Sequence, residues 1–162
     1  MRKLFLIIIL LIGGMMTSNP SQPIPYSDGI ENTSIFSFGD EIVACAQRYI
    51  GTPYKWGATG PKSFDCSGFM KWVYGKMGIN ISRTSRQQYF DGSPVKRTEL
   101  RAGDLVFFAR NKKSHKSIYH VGMVVDADSS GGYSFIHSAR GGVKISPSHK
   151  YERNFFGAVR IV

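Results

Sequence analysis

From Cys66 onward, apolar residues fall at Cys66, Phe69, Met70, Val73, Tyr74 and Met77. That series belongs to a helix with one buried face. Asp65 stands just before the first periodic position, where a carboxylate accepts from an otherwise unpaired backbone N–H. Gly78 follows the last, where a left-handed residue ends a helix. The spacing therefore predicts a helix that begins at Cys66. Its thiol then sits at the positive end of the helix dipole, which favours the thiolate and predicts a pKa below the usual ~8.5. A cysteine so placed is either a nucleophile or a small buried core residue. The first reading needs a base from elsewhere in the chain.

Past Gly103 the apolar period changes from helical to two-fold. Asp104 to Ala109 is an apolar run, and Tyr119 to Ala127 alternates Tyr119, Val121, Met123 and Val125 with His120, Gly122, Val124 and Asp126. Asp128-Ser129-Ser130-Gly131-Gly132 signals a turn, and Tyr133 to Ala139 is the returning strand. Val143 to Ser146 and Phe156 to Val162 read as two further strands. Upstream, Ile42, Cys45, Ala46 and Tyr49 share a helical face over about residues 40–50, closed by Gly51 and Pro53. A Gly/Pro-rich loop, 51–61, leads into the Cys66 helix, and residues 83–90 form a short third helix capped by Ser82 or Thr84. Residues 95–100 read as a linker. Helices first and an antiparallel sheet of about five strands afterwards is the α+β pattern.

Residues 1–18 stand apart from this fold. Arg2 and Lys3 precede the unbroken apolar run Leu4–Ile12, followed by Gly13, Gly14, Thr17 and Ser18. The layout is that of a secretory signal, too short for the ~20 residues of a spanning helix. The alternative is an uncleaved N-terminal membrane anchor. No cysteine follows the run, so no lipoprotein attachment is expected. Residues 19–38 contain Pro20, Pro23 and Pro25 and read as a tether, which leaves 39–162 as one domain. The chain carries 21 Lys+Arg against 11 Asp+Glu. Without Arg2 and Lys3 the balance is +8, which suits an anionic partner such as a cell-wall polymer. Nucleic acid is not expected, because no basic helical stripe or nucleic-acid motif appears. In an oxidising compartment the two cysteines, Cys45 and Cys66, are also a candidate disulfide.

The base for Cys66 is sought among four histidines. A turn centred between Asp128 and Ser129 places His120 directly opposite His137, with Cβ atoms ~4.5–5.5 Å apart; a turn one or two residues off shifts that pairing. With the cysteine helix packed over them, the pair makes a Cys–His–His array. His115, among lysines, and His149 read as solvated. The histidine spacing does not suit a metal site.

At this point the chain resembles the NlpC/P60 family of cell-wall peptidases. The matching pieces are Gly51-Thr52-Pro53-Tyr54-Lys55-Trp56-Gly57, Phe64-Asp65-Cys66-Ser67-Gly68-Phe69, Arg83-Thr84-Ser85, Gly103-Asp104-Leu105-Val106-Phe107-Phe108, His120-Val121-Gly122-Met123 and Phe135-Ile136-His137-Ser138-Ala139. They occur in order across residues 39–162. Ala58 departs from the family, which often has a second glycine there. The resemblance implies a papain-like α+β fold. It also implies hydrolysis of peptidoglycan stem peptides between γ-D-glutamate and a diamino acid, meso-diaminopimelate or lysine. It assigns Cys66 as nucleophile, His120 as general base and His137 as its orienting group. Tyr54 is expected near the oxyanion, Asp65 and Ser67 at the subsite for the N-terminal side of the stem peptide, and Arg83 and Ser85 at the groove. His120 would take the thiol proton to leave a thiolate–imidazolium pair, with no metal or organic cofactor. The protein is expected to be an exported monomer, periplasmic or wall-associated. Rival readings are an acyltransferase or amidase on a related scaffold, and a wall-binding module with Cys45 and Cys66 oxidised. Lipid-handling versions of the first usually place histidine before cysteine, the reverse of the order here.

Overall fold

The structure, a computed structural model, describes residues 37–162. The expected export segment 1–18 and the tether up to residue 36 lie outside the described residues. The first helix, α1 (Phe38–Gln47), starts at the very end of the expected tether: Ser37 caps it, accepting from Asp40 N–H, while the Asp40 carboxylate accepts from Ser37 N–H. Among the described residues no helix is long and apolar enough to cross a membrane.

Helix α2 (Cys66–Lys76) begins where the periodicity places it. The Asp65 side chain caps it by accepting from Gly68 N–H at 2.6 Å. A one-turn helix, α3 (Ser85–Gln88), follows with Thr84 as its cap. The strands are β1 (Ser93–Val95), β2 (Leu105–Ala109), β3 (Ile118–Ala127), β4 (Tyr133–Ala139), β5 (Gly142–Pro147) and β6 (Phe155–Arg160). They form one antiparallel sheet in the order β1-β6-β2-β3-β4-β5. The α+β expectation holds, with six strands instead of about five. The extra one, Ser-Pro-Val, ends at the first residue of the expected linker and pairs only with β6. As an edge strand it tolerates a proline that has no N–H to donate.

Both faces of the sheet are covered. Leu105, Phe107, Val121, Met123 and Ile136 point toward α1 and α2, where Ile42, Ala46, Phe69, Met70 and Val73 bury against them. Val106, Phe108, Val124 and Phe135 point the other way, onto Tyr151 of the 3-10 segment Ser148–Asn154. β2 is thus buried on both faces, and its uninterrupted Leu-Val-Phe-Phe-Ala run follows from that. At ~25 cal/mol per Å² of apolar surface, these two layers supply the main stabilising term of the fold.

Candidate active site

Cys66 is the first residue of α2, and its position is fixed from three sides. One carboxylate does most of this. Asp65 Oδ2 accepts from Gly57 N–H at 3.0 Å and from Arg83 Nη2 at 2.5 Å. Its Oδ1 accepts from Gly68 N–H and from Arg83 Nη1 at 3.1 Å. The 51–61 loop, the nucleophile helix and the segment before α3 therefore meet at one buried anion. Gly68 is obligatory here, since a Cβ would lie 2.2 Å from the Ala58 carbonyl oxygen. Gln88, fully buried, ties the same corner together by donating to the carbonyls of Ser67 and Ser82 at 2.9 and 2.8 Å. Ser138 Oγ donates to the Phe64 carbonyl at 2.9 Å, which anchors the approach to Cys66 onto β4.

The two histidines are not directly opposite, as a turn centred at Asp128–Ser129 would place them. Met123 pairs with Ile136 and Val124 with Phe135, so His137 falls opposite Gly122 by continuation of that register. The loop at 128–132 is wider than assumed, and a register shift follows Val124. The imidazoles meet on the diagonal instead, His120 Nε2 to His137 Nδ1 at 2.8 Å. Gly122 opens the space between them, because a Cβ there would stand 2.5 Å from the Phe135 ring and 3.1 Å from His137 Cβ. A second irregularity falls just before His120: Phe108 pairs with His120 but Ala109 with Ile118, leaving Tyr119 as the extra residue of a bulge.

The helix does not pack over the imidazoles as expected. It covers the Val121 and Met123 face, whereas His120 and His137 share the other face with Phe108, Phe135 and Tyr151. The N–H of Val121, the residue after His120, is near enough to the Cys66 thiol to favour its anion. Cys66 and His120 line one cleft of roughly 1030 Å³, together with Tyr54, Trp56, Asp65, Ser67, Arg83 and Ser85. Every residue expected at the site lines this cleft except His137, which is fully buried behind His120. Both cysteines are free thiols, so the oxidised Cys45–Cys66 alternative is not the state of this structure.

A further residue lies beyond His137. Its Nε2 is 2.9 Å from Ser146 Oγ on β5. If the hydroxyl accepts, His137 Nδ1 is left bare to accept from His120 Nε2–H, and His120 Nδ1 is left bare to take a proton. Tyr151 stacks on His120 at 18° and meets His137 edge-on. Sequence reasoning missed both, reading Ser146 only as a strand end. Pairing of Phe135 with Ser146 is the signal, and it needs the β4–β5 register, which turn residues alone did not give.

The electrostatics depart from expectation. Burial, reinforced by the neighbouring Asp65 carboxylate, pushes the Cys66 thiol up, against the pull of the Val121, Ser67 and Cys66 N–H groups. Burial also pulls His120 down to about 4, helped by Lys144, and His137 down to about 3, helped by His120 and Lys144. At neutral pH these shifts favour a protonated thiol and two neutral imidazoles over a preformed ion pair. The helix end lowers the thiol pKa less than the dry surroundings raise it. Tyr54 is likewise raised, by burial and then by Cys66 and Asp65, so its hydroxyl stays a donor.

The model of the NlpC/P60 family matches residues 51–160. The chain belongs to the NlpC/P60 family. A probable endopeptidase of Corynebacterium glutamicum is 40% identical over 124 residues, covering 76% of this chain and 54% of that protein. The bifunctional muramidase/DL-endopeptidase CwlT of Bacillus subtilis is 39% identical over 89 residues, 54% of this chain and 27% of its own length. The chain thus spans about half the length, or less, of these relatives. Among solved structures, the NlpC/p60 domain of the peptidoglycan hydrolase SagA superposes with a TM-score of 0.66 at 34% identity, covering 76% of this chain and 99% of that one. For an NlpC/P60 domain, the cleft holding Cys66 and His120 is the candidate active site.

Proposed function

We propose that this NlpC/P60 protein is an exported peptidoglycan endopeptidase of the cysteine type, cutting stem peptides between γ-D-glutamate and a diamino acid. The observation that carries the reading is the His120 Nε2–His137 Nδ1 contact of 2.8 Å behind the cleft that also holds Cys66. It gives a buried base a buried orienter and leaves the other ring nitrogen for the nucleophile. The endopeptidase and peptidoglycan-hydrolase names of the relatives support the substrate class.

The chemistry follows from neutral resting groups. His120 Nδ1 takes the Cys66 proton as sulfur attacks the γ-carbonyl carbon, so charge separates only when substrate has displaced water from the cleft. The developing oxyanion meets the Cys66 backbone N–H, which has no intrahelical acceptor at the first helical position, and the Tyr54 hydroxyl. The imidazolium then returns its proton to the leaving amine. Water, deprotonated by the same nitrogen, hydrolyses the thioester and regenerates the thiol. Asp65, Ser67, Arg83 and Ser85 shape the wall along the acyl side. The 1–18 segment would deliver the domain to the periplasm or cell wall without a lipid anchor, as a monomer.

Digestion of purified peptidoglycan with the protein, read by mass spectrometry, tests the proposal. New free amino termini on the diamino acid are expected, and Cys66→Ala should abolish them. Release of the same products at the same rate by Cys66→Ala would refute the thiol mechanism.

A further inference from the structure

The cleft carries more positive charge than its fold requires. Asp65 is its single acidic lining residue, and Arg83 already pairs with it. Arg86, Arg110 and Arg140 also line the cleft, and among the described residues none of the three has an acidic partner; Arg86 and Arg110 are the two tied to the segment just before His120. Both are held rather than waving in solvent. Arg86 Nε donates to the Ile118 carbonyl at 3.3 Å, which leaves its two terminal nitrogens for the cleft. The Arg110 guanidinium lies over the Tyr119 ring, 5.7 Å from its centroid.

Ile118 and Tyr119 immediately precede His120, so the two guanidiniums are attached to the wall that bears the base. Resting on the proposed function, this fixes which part of the substrate they meet. His120 protonates the leaving amine, so the fragment that departs lies on the His120 side, away from the Asp65–Arg83 wall. We propose that Arg86 and Arg110 form an anion subsite that takes a free carboxylate of the departing diamino-acid fragment. The planar guanidinium matches a carboxylate with two parallel N–H···O bonds, which a lysine ammonium cannot do. A diamino acid bearing its own side-chain carboxylate fits this subsite. Lysine, or the same diamino acid amidated on its side chain, offers it one carboxylate fewer.

Two carboxylates could fill the subsite, that of the diamino-acid side chain and that of the chain terminus. The test uses four synthetic L-Ala–γ-D-Glu–meso-diaminopimelate peptides, with each of these carboxylates free or amidated. For the wild-type protein, kcat/KM should fall about tenfold on amidating the carboxylate that binds, the size of one charge-assisted pair at a partly solvated site. Which amide causes the fall names the source. Arg86→Gln and Arg110→Gln should each cut the preference to about threefold and the double variant to about one, with Arg86→Lys intermediate. A ratio of two substrates is insensitive to how much protein is folded. Equal kcat/KM for all four peptides with the wild type, or full preference in the double variant, overturns the subsite. Cleavage of none of the four, by protein whose Cys66 still alkylates with iodoacetamide, overturns the endopeptidase reading and the subsite with it.

Discussion

Replacing Ser146 with alanine isolates the far end of the imidazole chain from its near end. Ser146 is buried, and its hydroxyl is the partner of His137 Nε2 at 2.9 Å. Without it, an Nε2–H is left unpaired in a fully buried ring, which costs about 1–3 kcal/mol and lowers Tm by roughly 4–10 °C for a domain of this size. The second effect is on proton placement. With the hydroxyl accepting, Nε2–H is favoured on His137, and hence a bare Nδ1 on His120. Losing a bias of about one hydrogen bond, ~1–1.5 kcal/mol, takes the active tautomer from roughly nine-tenths to about half of the population and should lower kcat about twofold with KM unchanged. Steady-state kinetics on a muropeptide, beside nitrogen-15 NMR of the two rings, reads both quantities. Ser146→Thr keeps the hydroxyl and should recover most of kcat. Wild-type kcat and an unchanged His137 tautomer in Ser146→Ala would refute the argument.

Gly122→Ala should lower Tm and cut activity more than tenfold, because its Cβ collides with Phe135 and presses on His137; retention of both would show that the strands can part. Gly68→Ala should destabilise by about 1–3 kcal/mol in urea unfolding through the clash with Ala58. Acid should destabilise the fold through the histidine pair. Their folded pKa values, about 4 and about 3, lie below the unfolded ~6.5, so the unfolded chain binds more protons in between. The contribution is complete above about pH 6.5 and is lost as pH falls toward 3, on the order of 3 kcal/mol for His120 alone. Tm measured from pH 7.5 to 4.5 should fall, and less steeply in His137→Gln. Finally, the rate of Cys66 alkylation by iodoacetamide should rise with a midpoint above the ordinary thiol's ~8.5; a midpoint below 7 would show a preformed thiolate.

Helix α2 was legible because its periodicity, its Asp65 cap and its glycine stop agree, and the strands around His120 and His137 because they alternate. What joins them was not. The diagonal meeting of the imidazoles depends on a widened turn and on Gly122 as a gap, and residue counting assumes neither. β1 was hidden by its proline, and Ser146 by a register that only the folded sheet defines. The thiol pKa was misjudged because the sequence displays the helix end but not the burial around it. Asp65 was read as a cap and as a residue of the subsite for the N-terminal side of the stem peptide. Its third task, seating Arg83 and the Gly57 loop, needs residues that approach from distant parts of the chain.

The protonated resting thiol bears on survival as well as on catalysis. An enzyme of the proposed kind works outside the reducing cytosol, with no glutathione pool to repair it. Peroxide and stray disulfides attack thiolates far faster than thiols. By withholding the anion until a peptide fills the cleft, the dry pocket around Cys66 keeps the nucleophile out of the reach of oxidants between turnovers. The same desolvation that slows the resting sulfur thereby lengthens its working life.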